Sequence, residues 1–269
     1  MSLKSMKDRD ALVVLSGGQD STTCLFWAKE NFRSIRAVTF DYNQRHWIEI
    51  RAAQTVARMC GVTSHDILKI PQSLMRSASP LTSEAPLETY LNAEQMAAVI
   101  GDRVELTFVP MRNTMFLTIA MNLAMHYVIT DLVTGVCQED NANYPDCTQA
   151  FIHTLQDAFS LSLGGPVQIH APLIRASKAA SVSIAMCLPG CMEALAFSHT
   201  SYDGKYPPTD MNHANVLRAD GFAKAGVPDP LVARAWREGL MNLPSTPNYD
   251  MLRSARRHQQ PEEPPRKSQ

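Results

Sequence analysis

An apolar run that ends abruptly in glycines is the feature that most constrains this chain. Ala11-Leu12-Val13-Val14-Leu15 contains no polar residue and stops at Ser16-Gly17-Gly18-Gln19-Asp20-Ser21. An unbroken run of branched side chains reads as a strand buried on both faces, the situation of a parallel sheet. The stretch from Ser21 to Asn31 then has helical composition. A strand, a glycine turn and a helix in that order make a βα unit.

The rhythm continues along the chain. Strands are expected at Ala37 to Tyr42, His65 to Ile70, Leu132 to Val136 and Gln168 to Pro172. Helices are expected at Trp47 to Cys60, Thr114 to Tyr127 and Thr148 to Leu161. Such alternation predicts an α/β fold, a doubly wound and mostly parallel sheet of Rossmann-like type with a small helical C-terminal part. Residues 71–104 interrupt it with three prolines and many Ser, Thr and Glu residues. They read as an insertion or lid, helical around Ala93 to Ile100. From Pro244 onward the chain is rich in Pro, Arg, Gln and Glu, the composition of a flexible tail.

Composition excludes several classes. The 269 residues are 45% hydrophobic and 19% charged, enough apolar material for a sizeable core. The net charge of −1 leaves no electrostatic footprint for duplex nucleic acid, whereas a nucleobase-sized ligand needs no basic surface. No apolar run approaches the roughly 20 residues of a membrane helix. The polar stretch from Met1 to Asp10 lacks the core of a secretory signal. These features predict a cytoplasmic protein. The six cysteines are irregularly spaced and read as small buried apolar residues rather than a disulfide framework.

The loop itself carries chemistry. Glycines let the backbone turn tightly and approach a ligand. The helix that follows directs N–H groups and the positive end of its dipole at the loop. Ser16, Ser21 and Thr22 add hydroxyls, completing a cradle for a multiply charged anion. Neither the Walker pattern nor the three-glycine dinucleotide fingerprint is present.

The hexapeptide resembles the Ser-Gly-Gly-x-Asp-Ser motif of the ATP pyrophosphatase superfamily. Three further segments narrow the resemblance to the 7-cyano-7-deazaguanine (preQ0) synthases of the QueC family. These are Thr39 to His46, Phe108-Val109-Pro110-Met111-Arg112-Asn113, and Thr134 to Asp140 with Tyr144-Pro145-Asp146-Cys147. Pro172-Leu173 with the downstream Lys178 is similar as well, and the likeness spans roughly residues 11 to 226. It implies a nucleotide-binding domain over residues 1–190 and ATP-dependent conversion of 7-carboxy-7-deazaguanine and ammonia to the nitrile through adenylated intermediates. It also implies Mg²⁺ with the nucleotide and a homodimer. Asp20, Arg112 and Lys178 become the catalytic candidates. Leu15, Ser16, Gly17, Gly18, Gln19, Asp20, Ser21, Thr22 and Phe40 join Arg112 and Lys178 at ATP. Tyr42, Gln44, Arg45, His46, Asn113, Gly135, Glu139, Asp140, Tyr144 and Asp146 become the substrate set. Against these roles stand plainer ones. Arg112 and Lys178 could be surface charges, His46 could simply open a helix, and Asp146 could be an N-cap.

The chain departs from the family over 191–243, the counterpart of its zinc region. There the family's four cysteine positions align with Ser201, Thr209, Asn212 and Asn215. None supplies a thiolate or imidazole, so no structural zinc is expected. Cys187, Cys191, His199 and His213 form an alternative set, but the two cysteines stand at packing spacing on one helix-like stretch. Asn43 and Met111 replace glycines, and Met111 is expected to add bulk beside the pocket. Two other functions stay open: a relative that stops at the amide or conjugates another amine, and a non-catalytic nucleotide binder.

Overall fold

A computed structural model describes residues 5–42, 48–62, 64–137 and 143–257. Five parallel strands form one sheet in the order β3-β2-β1-β4-β5. They are β1 (Asp10–Val14), β2 (Ser34–Asp41), β3 (His65–Lys69), β4 (Asp131–Val133) and β5 (Gln168–His170). Register is continuous across the centre, with Leu12 opposite Arg36 on one side and Leu132 on the other. The expected doubly wound fold is therefore present, and all pairings among these strands are parallel.

The alternation of side chains along β1 assigns the two layers. Ala11, Val13 and Leu15 point into a core shared with α1 (Gln19–Asn31), α2 (Ile48–Cys60), α6 (Lys178–Cys187) and α7 (Cys191–Leu195). Leu12 points to the opposite core, beneath α4 (Arg112–His126) and α5 (Gln149–Leu163). Ala11, Leu12 and Val13 are all fully buried, which is why this run carries no polar residue. Thr148 caps α5 and Ser177 caps α6, each side chain accepting from a first-turn N–H.

β4 and β5 are shorter than their apolar patterns suggest. After Val133 the chain leaves the sheet, and Thr134 to Cys137 line a cavity instead. Within the insertion, α3 (Ala93–Ile100) forms at the expected place. Its Met96 and Ile100 pack with Tyr90 on Val216 and Leu217 of α8 (His213–Lys224). The chain continues through α9 (Pro230–Arg237) to α10 (Asp250–Arg257). The segment expected to be a tail from Pro244 thus begins with ordered structure, anchored by the buried ring of Tyr249. Cys187 and Cys191 lie on two helices rather than one stretch, the first exposed and the second in the core. Among the described residues, no helix is long and apolar enough to cross a membrane.

Candidate active site

The strand order reverses between β1 and β4, and at the carboxyl ends of these strands lies a cavity of about 310 Å³. Open α/β sheets bind ligands at such a switch point. The loop from Ser16 to Ser21 forms one wall. Gly17 has φ +83°, and a Cβ there would lie 2.6 Å from both Ala53 N and Glu49 O of α2. Backbone conformation and space both demand glycine. The Ser16 and Ser21 hydroxyls lie 2.9 Å apart, Ser21 Oγ donates to Gly18 O, and Gly18 N donates to Ser16 Oγ. α1 starts two residues earlier than its composition suggests and has no side-chain cap at Gly18. Gly135, just after β4, closes over this turn: a Cβ would lie 2.9 Å from Ser21 N. Backbone amides at an uncapped helix start, with no side chain intruding, suit a phosphate.

Two cations face this anion cradle. Lys178 is the first residue of α6, and its Nζ lies 2.6 Å from Asp20 Oδ2. The pair is mostly shielded from solvent, so each charge holds the other in place. Gly221 of α8 lets α6 come this close, since a Cβ there would lie 2.8 Å from the Lys178 Cβ. Arg112 opens α4, so the helix begins at the arginine rather than at Thr114. Arg112 also bonds the Tyr42 phenol, whose pKa burial pushes up to about 12 with Glu49 adding to the shift. Tyr42 is therefore a neutral hydroxyl near pH 7. Neither Arg112 nor Lys178 is an incidental surface charge, as both line the cavity.

A flat apolar wall completes the space. Phe40 stacks on Phe116 with centroids 4.3 Å apart, and Tyr42 lies 5.4 Å from the same ring. Asn113 and Tyr144 also line the cavity, and each is hydrogen-bonded to residues outside it. Asn113 Nδ2 donates to Asp146 O at 3.3 Å, and its backbone N–H reaches Asp146 Oδ2. Tyr144 OH donates to the buried carboxylate of Glu105 at 3.2 Å and also contacts Thr107 Oγ1. Burial raises the Asp146 pKa, against the pull of Arg112 and the Asn113 N–H. Asp146 does not cap α5, because Thr148 does.

Of the sequence-derived set, Leu15, Ser16, Gly18, Gln19, Asp20, Ser21, Phe40, Tyr42, Arg112, Asn113, Gly135, Tyr144 and Lys178 come together around this cavity. Gly17 supports the turn without lining it, and Asp146 acts from behind Asn113. Thr22 departs from the expected cradle: it is fully buried and is not among the residues that line the cavity. Gln44, Arg45, His46, Glu139 and Asp140 lie outside the described residues, as does Asn43. Met111 departs from expectation. The residue is 63% exposed and does not line the cavity, while its backbone has the left-handed conformation, φ +63°, that suits glycine.

Sequence reasoning missed His199, Tyr202, Glu49 and His213, all of which line the cavity. His199 N donates to Gly17 O at 2.8 Å, tying the C-terminal segment to the loop. Tyr202 directly follows Ser201, one of the positions aligned with the family's cysteines. Ser201, Asn212 and Asn215 converge, whereas Thr209 is exposed. Hydroxyl and amide donors do not fit structural zinc. Of the alternative set, Cys187 is exposed at the end of α6 and Cys191 is buried at the start of α7, whereas His199 and His213 line the cavity.

The sequence model of a family described as "Queuosine biosynthesis protein QueC" matches residues 10–226. A 7-cyano-7-deazaguanine synthase from Laribacter hongkongensis is 44% identical over 237 residues, covering 86% of this chain and 98% of that protein. One from Gloeobacter violaceus is 43% identical over 228 residues, with 83% and 95% covered. One from Chromobacterium violaceum is 43% identical over 240 residues, with 88% and 98% covered.

Proposed function

The chain belongs to the QueC family of queuosine biosynthesis proteins, and on that premise we propose that its cavity converts 7-carboxy-7-deazaguanine, ammonia and ATP to 7-cyano-7-deazaguanine. One observation carries the reading. The Ser16–Ser21 cradle, Arg112 and Lys178 line a single cavity at the sheet's switch point, beside a flat aromatic wall.

A carboxylate is a poor electrophile, so it is first activated. Its oxygen attacks the α-phosphorus of ATP, and the bond to pyrophosphate breaks. The loop amides and hydroxyls take the departing pyrophosphate. Lys178 and Arg112 offset the charge that develops on the transferring and leaving phosphates. Lys178 exchanges Asp20 for phosphate when nucleotide enters. The Asp20 carboxylate, a hard oxygen donor, then suits Mg²⁺ brought in on the phosphates. Ammonia attacks the acyl carbon and AMP leaves, giving the amide. The amide oxygen is adenylated by a second ATP, and loss of AMP with the remaining N–H protons yields the nitrile.

The deazaguanine ring lies against Phe40, Phe116 and Tyr42, with Asn113 and Tyr144 meeting its polar edge. Burial of Asp146 and Glu105 behind these two residues favours one orientation of each. The working unit is proposed as a homodimer in the cytoplasm, without structural zinc. The six cysteines, all free, suit a reducing compartment.

Mass spectrometry of the product from the carboxylate, ATP, Mg²⁺ and ammonium tests the assignment. The expected result is the nitrile, with AMP and pyrophosphate released only when the carboxylate is present. Amide as the sole product, or a conjugate with another amine, would replace the second half of the scheme. No AMP at all would reduce the protein to a nucleotide binder. Light scattering at the mass of one chain would remove the dimer.

A further inference from the structure

Beside the cavity, the segments around Ser201 and Asn215 meet in a cluster centred on the Asp210 carboxylate, with the His199 ring bonded to the Ser201 carbonyl at its edge. Asp210 Oδ1 accepts from the Ser201 hydroxyl and from Asn215 Nδ2, and Asp210 Oδ2 accepts from Asn212 Nδ2. The Asp210 carbonyl takes a further bond from Asn215 Nδ2 at 3.1 Å, and Asn212 Nδ2 also reaches Ser201 Oγ at 3.3 Å. Ser201 and Asn212 are each 1% exposed. Asp203 Oδ1 lies 2.7 Å from the Ser201 hydroxyl, whose single proton serves one carboxylate at a time.

Three of the four positions that hold cysteine in the family therefore donate to one carboxylate. We infer that Asp210 is a positioning residue: its carboxylate gathers Ser201, Asn212 and Asn215 and so orders the cavity rim without a metal ion. A cation held by thiolates is replaced by an anion held by neutral donors. The sign is inverted, but the same two stretches of chain are joined. Hydrogen bonds to an ionised acceptor are among the stronger ones a protein makes.

The consequence reaches the site through two short paths. His199, Thr200 and Tyr202 flank Ser201 and line the cavity, and His199 N is bonded to Gly17 O of the phosphate loop. Asn212 caps α8, its side chain accepting from Asn215 N, and His213 and Leu217 of that helix line the same cavity. Loosening the cluster therefore frees one wall.

The test uses the full-length protein and reads local hydrogen exchange, so it does not depend on the substrate assigned above. After exhaustive chelation, residues 199–216 are expected to exchange as slowly as before, and elemental analysis is expected to find no stoichiometric zinc. Asp210→Asn keeps the volume and removes the charge. It should speed exchange in that segment roughly tenfold while β1 and β2 stay protected, and raise KM for ATP or the carboxylate more than it lowers kcat. The exchanged pair D210N/N212D returns a carboxylate to the cluster and keeps the cap, and should recover most of the protection. Should Asp210→Asn fail to fold, Ser201→Ala removes one donor and should still speed local exchange several-fold. One zinc per chain whose removal loosens the segment would overturn the inference. So would unchanged exchange in Asp210→Asn or, where that variant does not fold, in Ser201→Ala, or a swapped pair that recovers nothing.

Discussion

The glycine loop and the segment from His199 to Asn215 meet at the rim of one cavity, yet they hold their shapes by opposite means. The loop depends on what is missing. Gly17 and Gly135 are dictated by backbone atoms 2.6 and 2.9 Å from where a Cβ would sit, so no side chain substitutes there. The C-terminal segment depends on what is paired. Its buried donors gather on Asp210, and any set of groups with complementary charge and reach could do that work. Steric constraints admit one residue type. Electrostatic constraints admit a family of solutions, including one of reversed sign.

The comparison breaks most readily at the charges. Lys178→Met should lower kcat by about 10²–10³, the usual loss when a preorganised charge is removed from a transition state, with little effect on thermal midpoint beyond freeing Asp20. Single-turnover AMP release measures it, and an unchanged rate would remove Lys178 from the chemistry. Gly17→Ala places a methyl against α2 and forces φ +83° on alanine. A loss of about 3 kcal/mol in urea unfolding is expected, together with loss of ATP binding by calorimetry.

Gly221→Ala sharpens the contrast, because helix propensity alone would make it stabilising by about 1 kcal/mol. Here the added Cβ meets the Lys178 Cβ at 2.8 Å, so α6 and α8 must separate. A net cost of about 1 kcal/mol is expected, with kcat falling further than that cost explains because Lys178 moves. Met111→Gly should have the smallest effect and the opposite direction. It relieves a left-handed methionine that touches nothing in the cavity. The thermal midpoint should rise by the equivalent of about 1 kcal/mol with kcat/KM unchanged. A changed kcat/KM would restore Met111 to the pocket.

Much of the site was legible from local pattern. The run from Ala11 to Leu15 and the glycine turn after it are visible within a few residues, since strand burial and tight turns are short-range matters, and the resemblance singled out Arg112 and Lys178, which the fold brings to the cavity. Thr22 went astray because the helix starts at Gln19, and those two residues rotate the threonine into the core. Met111 went astray because a backbone dihedral, rather than side-chain bulk, is what the position demands. Glu49, His199 and His213 were illegible because nothing in their neighbourhoods marks which face of an element turns toward a loop distant in sequence.

The sequence by itself determined that the chain has an α/β fold, that a glycine turn follows its first strand, and that the thiolate ligands its family resemblance implies are not present at Ser201, Thr209, Asn212 and Asn215. It did so because glycine requirements and apolar periodicity act within one element. Only the tertiary structure decided what stands in the place of those ligands. Asp210 carries no local mark of its role. It becomes the centre of the cluster because folding brings Ser201, Asn212 and Asn215 around its carboxylate, where buried donors and a charge satisfy one another.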